Sequence, residues 1–169
     1  MRDQSARTPT AIDAIAEKWV GTMVDLDPDT AIWMGIEGRI GEIGDYSPRG
    51  HERYVAEARK VIDALSHEHP VDDIDRVTQA DITAELSLEI ASAEAEYHLR
   101  DLNVIASPAQ GIREIFDLMP TETEADWSIV AKRLGNVPAA VDGYIETLRA
   151  GIAKGVVPAR RQVAEVSQQ

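Results

Sequence analysis

Apolar residues recur at steps of three and four positions through most of the chain, which is the pattern of helices with one apolar face. The clearest early example runs from about Ala11 to Leu26, and Thr10 stands where an N-cap residue belongs. Its apolar face consists of Ile12, Ile15, Ala16, Trp19, Val20 and Met23. No stretch alternates steadily between apolar and polar residues, as a half-buried strand would. The pattern predicts an all-α protein of about seven or eight helices with short connections.

Proline and glycine divide this pattern into segments. Asp27 and Pro28 predict the cap and first residue of a short second helix. Ser47 and Pro48 predict the same for a third helix, which reaches about Leu65. The glycines between these helices are irregularly spaced, and no Gly-Lys-Ser/Thr follows them. We therefore interpret the stretch as a flexible loop rather than a phosphate-binding loop.

The longest helical pattern runs over about residues 72–102 and contains no Gly or Pro. Two apolar seams follow it. The first consists of Val77, Ala84, Leu88, Ala91, Ala95 and Leu102, and the second of Ile82, Leu86, Ile90, Ala93 and Tyr97. Because a helix with two seams is contacted on more than one side, we expect the other helices to pack around this one as a central helix.

Further helices are predicted in the second half. Thr121 and Glu124 have capping-box spacing, and the helix that they begin is expected to end near Leu134, where Gly135 and Pro138 break the pattern. The helices that follow are predicted over residues 139–153 and 160–166.

Composition is that of one folded helical domain. The chain has 169 residues, of which 44% are apolar and only 5% aromatic, so its core must be built mainly from Ala, Ile, Leu and Val. The three tryptophans, Trp19, Trp33 and Trp127, have apolar neighbours at helical spacing and are predicted to be core residues. No repeat or low-complexity segment marks an internal boundary, so we predict a single helical domain over residues 1–169.

The charge balance argues against two classes of partner. The net charge is −13, and residues 1–100 contribute −11 of it, from 10 basic and 21 acidic residues. An acidic surface repels the phosphates of nucleic acids and the anionic lipids of a membrane surface. The chain has no cysteine, its first residues form no secretory signal, and no run is long and apolar enough to span a membrane. We expect a cytoplasmic protein that binds neither nucleic acid nor membrane.

Motifs that carry chemistry are missing from the sequence. A helical zinc site needs His-Glu-x-x-His, whereas His67-Glu68-His69 has neighbours two apart and precedes Pro70, which indicates a surface turn. His98 is interpreted as a partly buried, hydrogen-bonded residue rather than a metal ligand. No Gly-x-Ser-x-Gly nucleophile motif is present. The sequence predicts no catalytic residue and no metal ligand in this chain.

Three acidic residues, Asp81, Glu85 and Glu89, stack at four-residue intervals on the predicted long helix. Like charges at this spacing destabilise an isolated helix by a few tenths of a kcal/mol per pair. A solvated face tolerates that cost. The alternative is that at least one of the three pairs with an arginine of a neighbouring helix or of a further segment.

Several stretches together resemble the amino-terminal part of the domain-of-unknown-function 885 family. They are DPDTAIWMG, DYSP, HLRDLNVIASPAQGIREIFDLMP and GNVPAAVDGYIETLRAGIAKGVVPARRQVAEV, and they cover about residues 28–166. The resemblance implies longer, mostly helical bacterial proteins similar to zinc carboxypeptidases of the thermostable type, with a His-Glu-x-x-His helix in their later part. This sequence ends before any such helix, so we expect an amino-terminal portion that does not catalyse alone and needs no cofactor. Zinc is expected only where the carboxy-terminal part is present.

In such a protein, the resemblance would make the segment Asp101–Pro120 a wall and lid of a substrate cleft for a peptide-like substrate. Four polar residues that flank its helix break are the candidates for facing the cleft: Asn103, Ser107, Gln110 and Arg113. The alternative is that Asn103 and Ser107 only cap helices and that Arg113 pairs with a nearby acid such as Asp117.

Two kinds of partner and two functions follow as expectations. An exposed apolar face would be covered by the remainder of a longer chain or by a second copy of this one. The first function is a helical segment of a zinc-dependent peptidase or related hydrolase. The second is a self-sufficient helical protein-interaction module without enzymatic activity.

Overall fold

The computed structural model describes residues 7–36 and 38–169. Within these ranges it contains seven α-helices, two short 3₁₀ helices and no strand, so the all-α prediction is confirmed. The α-helices are α1 (Ala11–Leu26), α2 (Asp29–Met34), α3 (Pro48–Ser66), α4 (Asp73–Glu94), α5 (Pro108–Glu114), α6 (Glu124–Lys154) and α7 (Arg160–Val166). The 3₁₀ helices are Tyr97–Arg100 and Ile115–Leu118.

Helices α1, α3 and α4 pack together around one apolar core. Trp19, Ala58 and Leu86 are buried at its centre, one from each helix. The ring of Trp19 meets that of Tyr54 edge-on, with ring centroids 5.7 Å apart. Partly buried residues complete the cluster: Met23, Val61, Ile62, Ile82 and Ile90. Helix α6 packs against α3 and the Tyr97–Arg100 3₁₀ helix, and α5 packs on α6.

An arginine joins the first turns of α1 and α4. The Arg7 guanidinium donates to the carboxylates of Asp13, Asp72 and Asp75, and Asp75 also accepts from the Thr10 hydroxyl at 2.8 Å. Asp75 is fully buried. Hydrogen bonds from Arg7 are the main reason that the pKa values of Asp13 and Asp72 lie below their usual range. The predicted Thr10 cap is present in a full capping box.

Helix α4 is shorter than the predicted 72–102 helix. It ends at Glu94, and Glu96 then adopts a left-handed conformation with φ +57° before the Tyr97–Arg100 3₁₀ helix begins. One seam, centred on Leu86, faces the core, whereas Val77 and Leu88 of the other seam are exposed. The left-handed residue is a glutamate, and no Gly, Asn or Pro stands beside it, so the sequence contains no local signal for the end of α4.

Helix α6 continues through the predicted break and is the longest helix of the described residues, at 31 residues. Pro138 lacks an N–H and leaves the carbonyl of Leu134 without its usual intrahelical donor. Both residues are exposed, so water can satisfy that carbonyl and the helix tolerates the proline. Its N-cap is Thr123, with Asp126 completing the capping box, rather than the predicted Thr121.

Two of the remaining helices agree with the sequence: α3 begins with Pro48 after the Ser47 cap, and α7 lies where it was predicted. Helix α2 begins one residue later than predicted, with Pro28 at the N-cap and Asp29 as its first residue. Among the helices that the structure describes, none is long and apolar enough to cross a membrane.

Candidate functional site

The segment Asp101–Pro120 is anchored firmly against α6. The Tyr144 hydroxyl donates to the Asp101 carbonyl at 2.5 Å, and Ile112 and Ile115 of the segment are buried. Burial of the Tyr144 side chain is the main reason that its pKa is raised to about 12. The segment is therefore a fixed feature of the surface.

Two of the four candidate residues hold the loop in shape. The Asn103 side-chain oxygen accepts from the N–H groups of Ile105 and Ala106, at 2.9 and 2.8 Å. Ser107 is buried and donates to the Asn103 carbonyl at 3.0 Å and to Gln110 Oε1 at 2.6 Å. Gln110 Oε1 also accepts from the Ser107 N–H, in a capping box at the start of α5. Asn103 and Ser107 thus form a local framework.

The other two candidates line an open cavity of about 540 Å³ between α5 and the end of the chain. Gln110 Nε2 donates to Gln169 Oε1 at 2.7 Å across this cavity. Arg113 lies 3.4 Å from Asp117 in an exposed ion pair, which leaves the guanidinium able to turn toward a ligand. The structure thus brings all four residues into one segment and orients two of them to a cavity. Contact with a substrate stays a prediction.

A buried arginine that sequence reasoning missed ties α6 to α2. Arg133 is fully buried, and its guanidinium donates to the Asp29 carboxylate and to the carbonyls of Ile40 and Glu42, the second at 2.5 Å. Its Nε is enclosed and has no hydrogen-bond partner among the described residues. The guanidinium carbon lies 5.6 Å from the centroid of the Phe116 ring.

The position of Arg133 was visible in the sequence. The buried face of α6 repeats at steps of three, four and seven through Val130, Arg133, Ala140, Tyr144, Thr147 and Gly151. An arginine within such a series is aimed at the core and must find a carboxylate there. Asp29 is that carboxylate, in the short helix that follows Asp27 and Pro28.

Two other groups join this buried cluster. Tyr46 donates its hydroxyl to Asp29 at 3.2 Å, and Asp27 accepts from the Asp29 N–H at 3.2 Å. Burial is the main cause, and the Asp29 charge the next, of a raised pKa for both Asp27 and Tyr46. The cluster is a structural joint, because Arg133 and Asp29 at its centre are buried. Asp27 and Tyr46 reach a cavity, and its volume is about 150 Å³.

A second stripe of apolar side chains on α6 faces away from this core. We call it the α6 seam, and its members recur at steps of four and three: Trp127, Ala131, Leu134, Pro138, Val141, Ile145, Leu148 and Ile152. Seven of these eight are exposed, Ile152 by 67% and Trp127 by 57%, and Leu148 is half-buried. The predictions that Trp33 and Trp127 are core residues are therefore wrong, because both rings are exposed.

The exposed seam of α4 forms a second apolar surface. Val77 and Leu88 are 69% and 64% exposed, and Ala84 and Ala91 of the same seam are exposed as well. Asp81, Glu85 and Glu89 run beside this seam. All three are exposed, and none forms an ion pair with a residue in the described ranges. The solvated-face interpretation of the acidic stripe is confirmed, and none of the three acids pairs with an arginine of the described residues. Pairing with an arginine of a further segment stays a prediction.

The histidines lie in two different settings. His67 and His69 are exposed in a turn, as predicted. His51 and His98 are half-buried side by side, with ring centroids 4.6 Å apart. His98 Nδ1 is enclosed without a partner among the described residues, so its interpretation as a hydrogen-bonded residue is wrong for that atom. No group of three or more metal-ligating side chains occurs in the part of the chain that the structure describes.

This histidine pair predicts a loss of stability in acid. Burial first, and the charge of His98 second, lower the pKa of His51 from 6.5 to about 4. Between these two values the unfolded chain binds more protons, so the free energy of unfolding falls as the pH falls from about 6.5 to about 4. The contribution of His51 is about 3 kcal/mol at most.

Urea denaturation of the wild-type chain and of His51→Gln at pH 7 and pH 4.5 measures it. We expect the variant to lose less stability on acidification than the wild type, whereas the exposed control His67→Gln follows the wild type. Equal losses in all three proteins would contradict the assignment to His51.

The family of the chain follows from comparison with known proteins. A family described as bacterial protein of unknown function, DUF885, matches residues 28–169. The chain belongs to this family. The match covers the Asp29–Arg133 pair, the Asp101–Pro120 segment and both apolar seams, whereas α1 and Asp27 precede it. No curated protein matches the chain.

Proposed function

We propose that this DUF885 chain is the amino-terminal helical segment of a zinc-dependent peptidase or related hydrolase. In this proposal the zinc ligands lie in later residues of a longer cytoplasmic polypeptide, and the segment supplies one wall of the cleft that holds a peptide-like substrate. The segment does not catalyse alone. Family membership and the resemblance of several stretches to that region support the proposal.

The observation that carries the proposal is the α6 seam. It extends over 25 residue steps, which is about 37 Å of helix at 1.5 Å per residue. Soluble monomers rarely leave a contiguous apolar surface of more than a few hundred Å² in water. Four heptads of apolar residues at steps of three and four are the pattern of a helix that packs against a neighbour on that side. The remainder of the polypeptide is the neighbour that we propose.

Within that arrangement, the candidates for contact with the substrate are Gln110 and Arg113, which line the cavity beside α5. An arginine side chain with a single exposed partner can exchange it for a substrate carboxylate at little cost. Asn103 and Ser107 would hold the loop that presents them.

The alternative function is a helical interaction module that is complete in itself and whose seam binds a second copy. The observation in its favour is that the domain satisfies many of its own polar groups: α1 and α6 begin in capping boxes, and the Arg133 guanidinium pairs with Asp29. The two functions differ in what covers the seam.

Charged substitutions in the seam test the first proposal. The double variant Leu134→Glu and Ile145→Glu introduces two carboxylates at positions that are 56% and 37% exposed, so the fold should tolerate them. We expect the chain alone to bind a hydrophobic dye, and we expect the variant to reduce that fluorescence at least about threefold, since it places two carboxylates in the middle of the seam. A matched control, Glu146→Gln on the same helix, should leave the dye signal unchanged.

The reading frame beyond Gln169 provides a second test of the proposal. We expect it to continue into a His-Glu-x-x-His segment, and the longer polypeptide should neither bind the dye nor associate. A stop codon directly after Gln169, together with a stable dimer that the seam variant dissociates, would overturn the peptidase proposal in favour of the interaction module.

A further inference from the structure

A cavity of about 480 Å³ opens where α3, the end of α4, the Tyr97–Arg100 3₁₀ helix and α6 meet. His51 and His98 lie in its wall. The rest of the inner wall is apolar and comes from Pro48, Val55, Ala56, Ala93, Leu99 and Ala150. An apolar cavity of this size with a few polar groups is typical of sites for small molecules. Neither the cavity beside α5 nor the α6 seam contributes to it.

His98, which lines this cavity, has one enclosed and one open ring nitrogen. Its Nδ1 is enclosed and has no partner among the described residues, whereas its Nε2 is not enclosed. An enclosed N–H without an acceptor is rarer, and costs more, than an enclosed acceptor without a donor. The favoured neutral tautomer therefore keeps the lone pair on Nδ1 and the hydrogen on Nε2. His51, stacked against it, can turn a second N–H to the same point.

Charged groups from every surrounding element stand at the rim. Arg59 of α3 pairs with Glu94 of α4 at 2.6 Å, and Lys154 of α6 pairs with Glu96 beside the 3₁₀ helix. Glu52 also lines the cavity, and Asp45 lies close enough to influence His51. Two of the carboxylates are thus neutralised by cations. These cations can also turn toward an anion that enters.

We propose that this cavity binds a small aliphatic carboxylate. The carboxylate oxygens accept hydrogen bonds from His98 Nε2 and from His51, and the aliphatic part lies on the apolar wall. The proposal stands independently of the peptidase assignment, because it uses none of the residues placed at the α6 seam or beside α5.

Two other ligand classes fit the cavity less well. An organic ammonium would bind a carboxylate of the rim, but Glu94 and Glu96 are already paired with cations. Of the carboxylates that line the cavity, this leaves Glu52 alone to receive it. A transition metal is held firmly by three or more side chains, and the described residues bring two histidines together without a third ligand. Burial lowers the pKa of both His51 and His98. A bound carboxylate would raise both pKa values again, because its negative charge stabilises a protonated imidazole.

The test is a titration of the whole chain with isovalerate, followed by the NMR signals of the imidazole C2–H protons. The chain has four histidines, and the exposed His67 and His69 serve as internal controls. We expect saturable shifts of His51 and His98 alone. Because binding takes up protons on this pair, we expect the affinity to weaken at least about fivefold from pH 5 to pH 7. His51→Gln should abolish saturation, and His67→Gln should preserve it.

Parallel titrations with butylamine, zinc and inorganic phosphate complete the design. The proposal would be overturned if isovalerate shifted the NMR signals of all four histidines in parallel. It would also be overturned if the shifts did not saturate up to about 50 mM, because a dissociation constant of that size corresponds to a binding free energy of under about 2 kcal/mol. Tighter binding of butylamine or zinc than of isovalerate would reject the carboxylate. Phosphate that binds as well as isovalerate would show that the apolar wall contributes nothing, and would equally reject an aliphatic ligand.

Discussion

Replacing Arg133 by Met is expected to destabilise the protein by about 3–5 kcal/mol, the cost of leaving one partner of a buried ion pair alone. The Asp29 carboxylate is buried and would lose its cation. The carbonyls of Ile40 and Glu42 would lose their donor as well. Methionine can fill most of the vacated space, so lost charge and hydrogen bonding dominate the effect. Urea denaturation at pH 7 measures it.

Arg113→Met is the matched control for this prediction. Arg113 also lies on a helix and also pairs with an aspartate, but both side chains of that pair are more than half exposed. Exposed pairs contribute about 0–1 kcal/mol, so the control should lie close to the wild type. The double variant Arg133→Met, Asp29→Leu should recover part of the loss, because it removes the stranded carboxylate. A loss below about 1 kcal/mol for Arg133→Met would show that the pair is not the joint that we describe.

Replacing Gly151 by Ala is expected to cost about 3 kcal/mol, at the upper end of the range for overpacked positions. A Cβ atom at this position would lie 2.4 Å from the Leu99 carbonyl oxygen and 2.5 Å from that of Val156. Both are backbone atoms, so relief requires moving the Tyr97–Arg100 3₁₀ helix or the end of α6. A shift there would also disturb His98, which neighbours Leu99.

The control for this prediction is Gly135→Ala in the same helix. A Cβ at Gly135 meets nothing within 4 Å. Alanine is favoured over glycine in a helix interior by about 1 kcal/mol, so this variant should be more stable than the wild type. If the close approach at Gly151 is real, thermal unfolding will show a lower melting temperature for Gly151→Ala and a higher one for Gly135→Ala than for the wild type. Shifts of the same sign would contradict it.

The candidate site was partly accessible from the sequence. The Ser107 cap before Pro108 could be predicted from residue order because capping is local, whereas the end of α4 at Glu94 could not. The pairing of Arg133 with Asp29 joins residues 104 positions apart, and no local signal names the partner. The side-by-side histidines, His51 and His98, belong to different elements for the same reason.

The helical class, the first three helices and the turn at His67–His69 were determined by the sequence itself, because periodicity and capping act over a few residues. Whether Pro138 breaks α6 was decided by tertiary structure, since a proline is tolerated only where water can reach the carbonyl that it frees. Whether Trp33 and Trp127 are buried or exposed was also decided by tertiary structure. Helical periodicity shows that a side chain shares an apolar face. Only the packing of the helices shows whether that face is covered, and on α6 one apolar face forms the core while the other lies open.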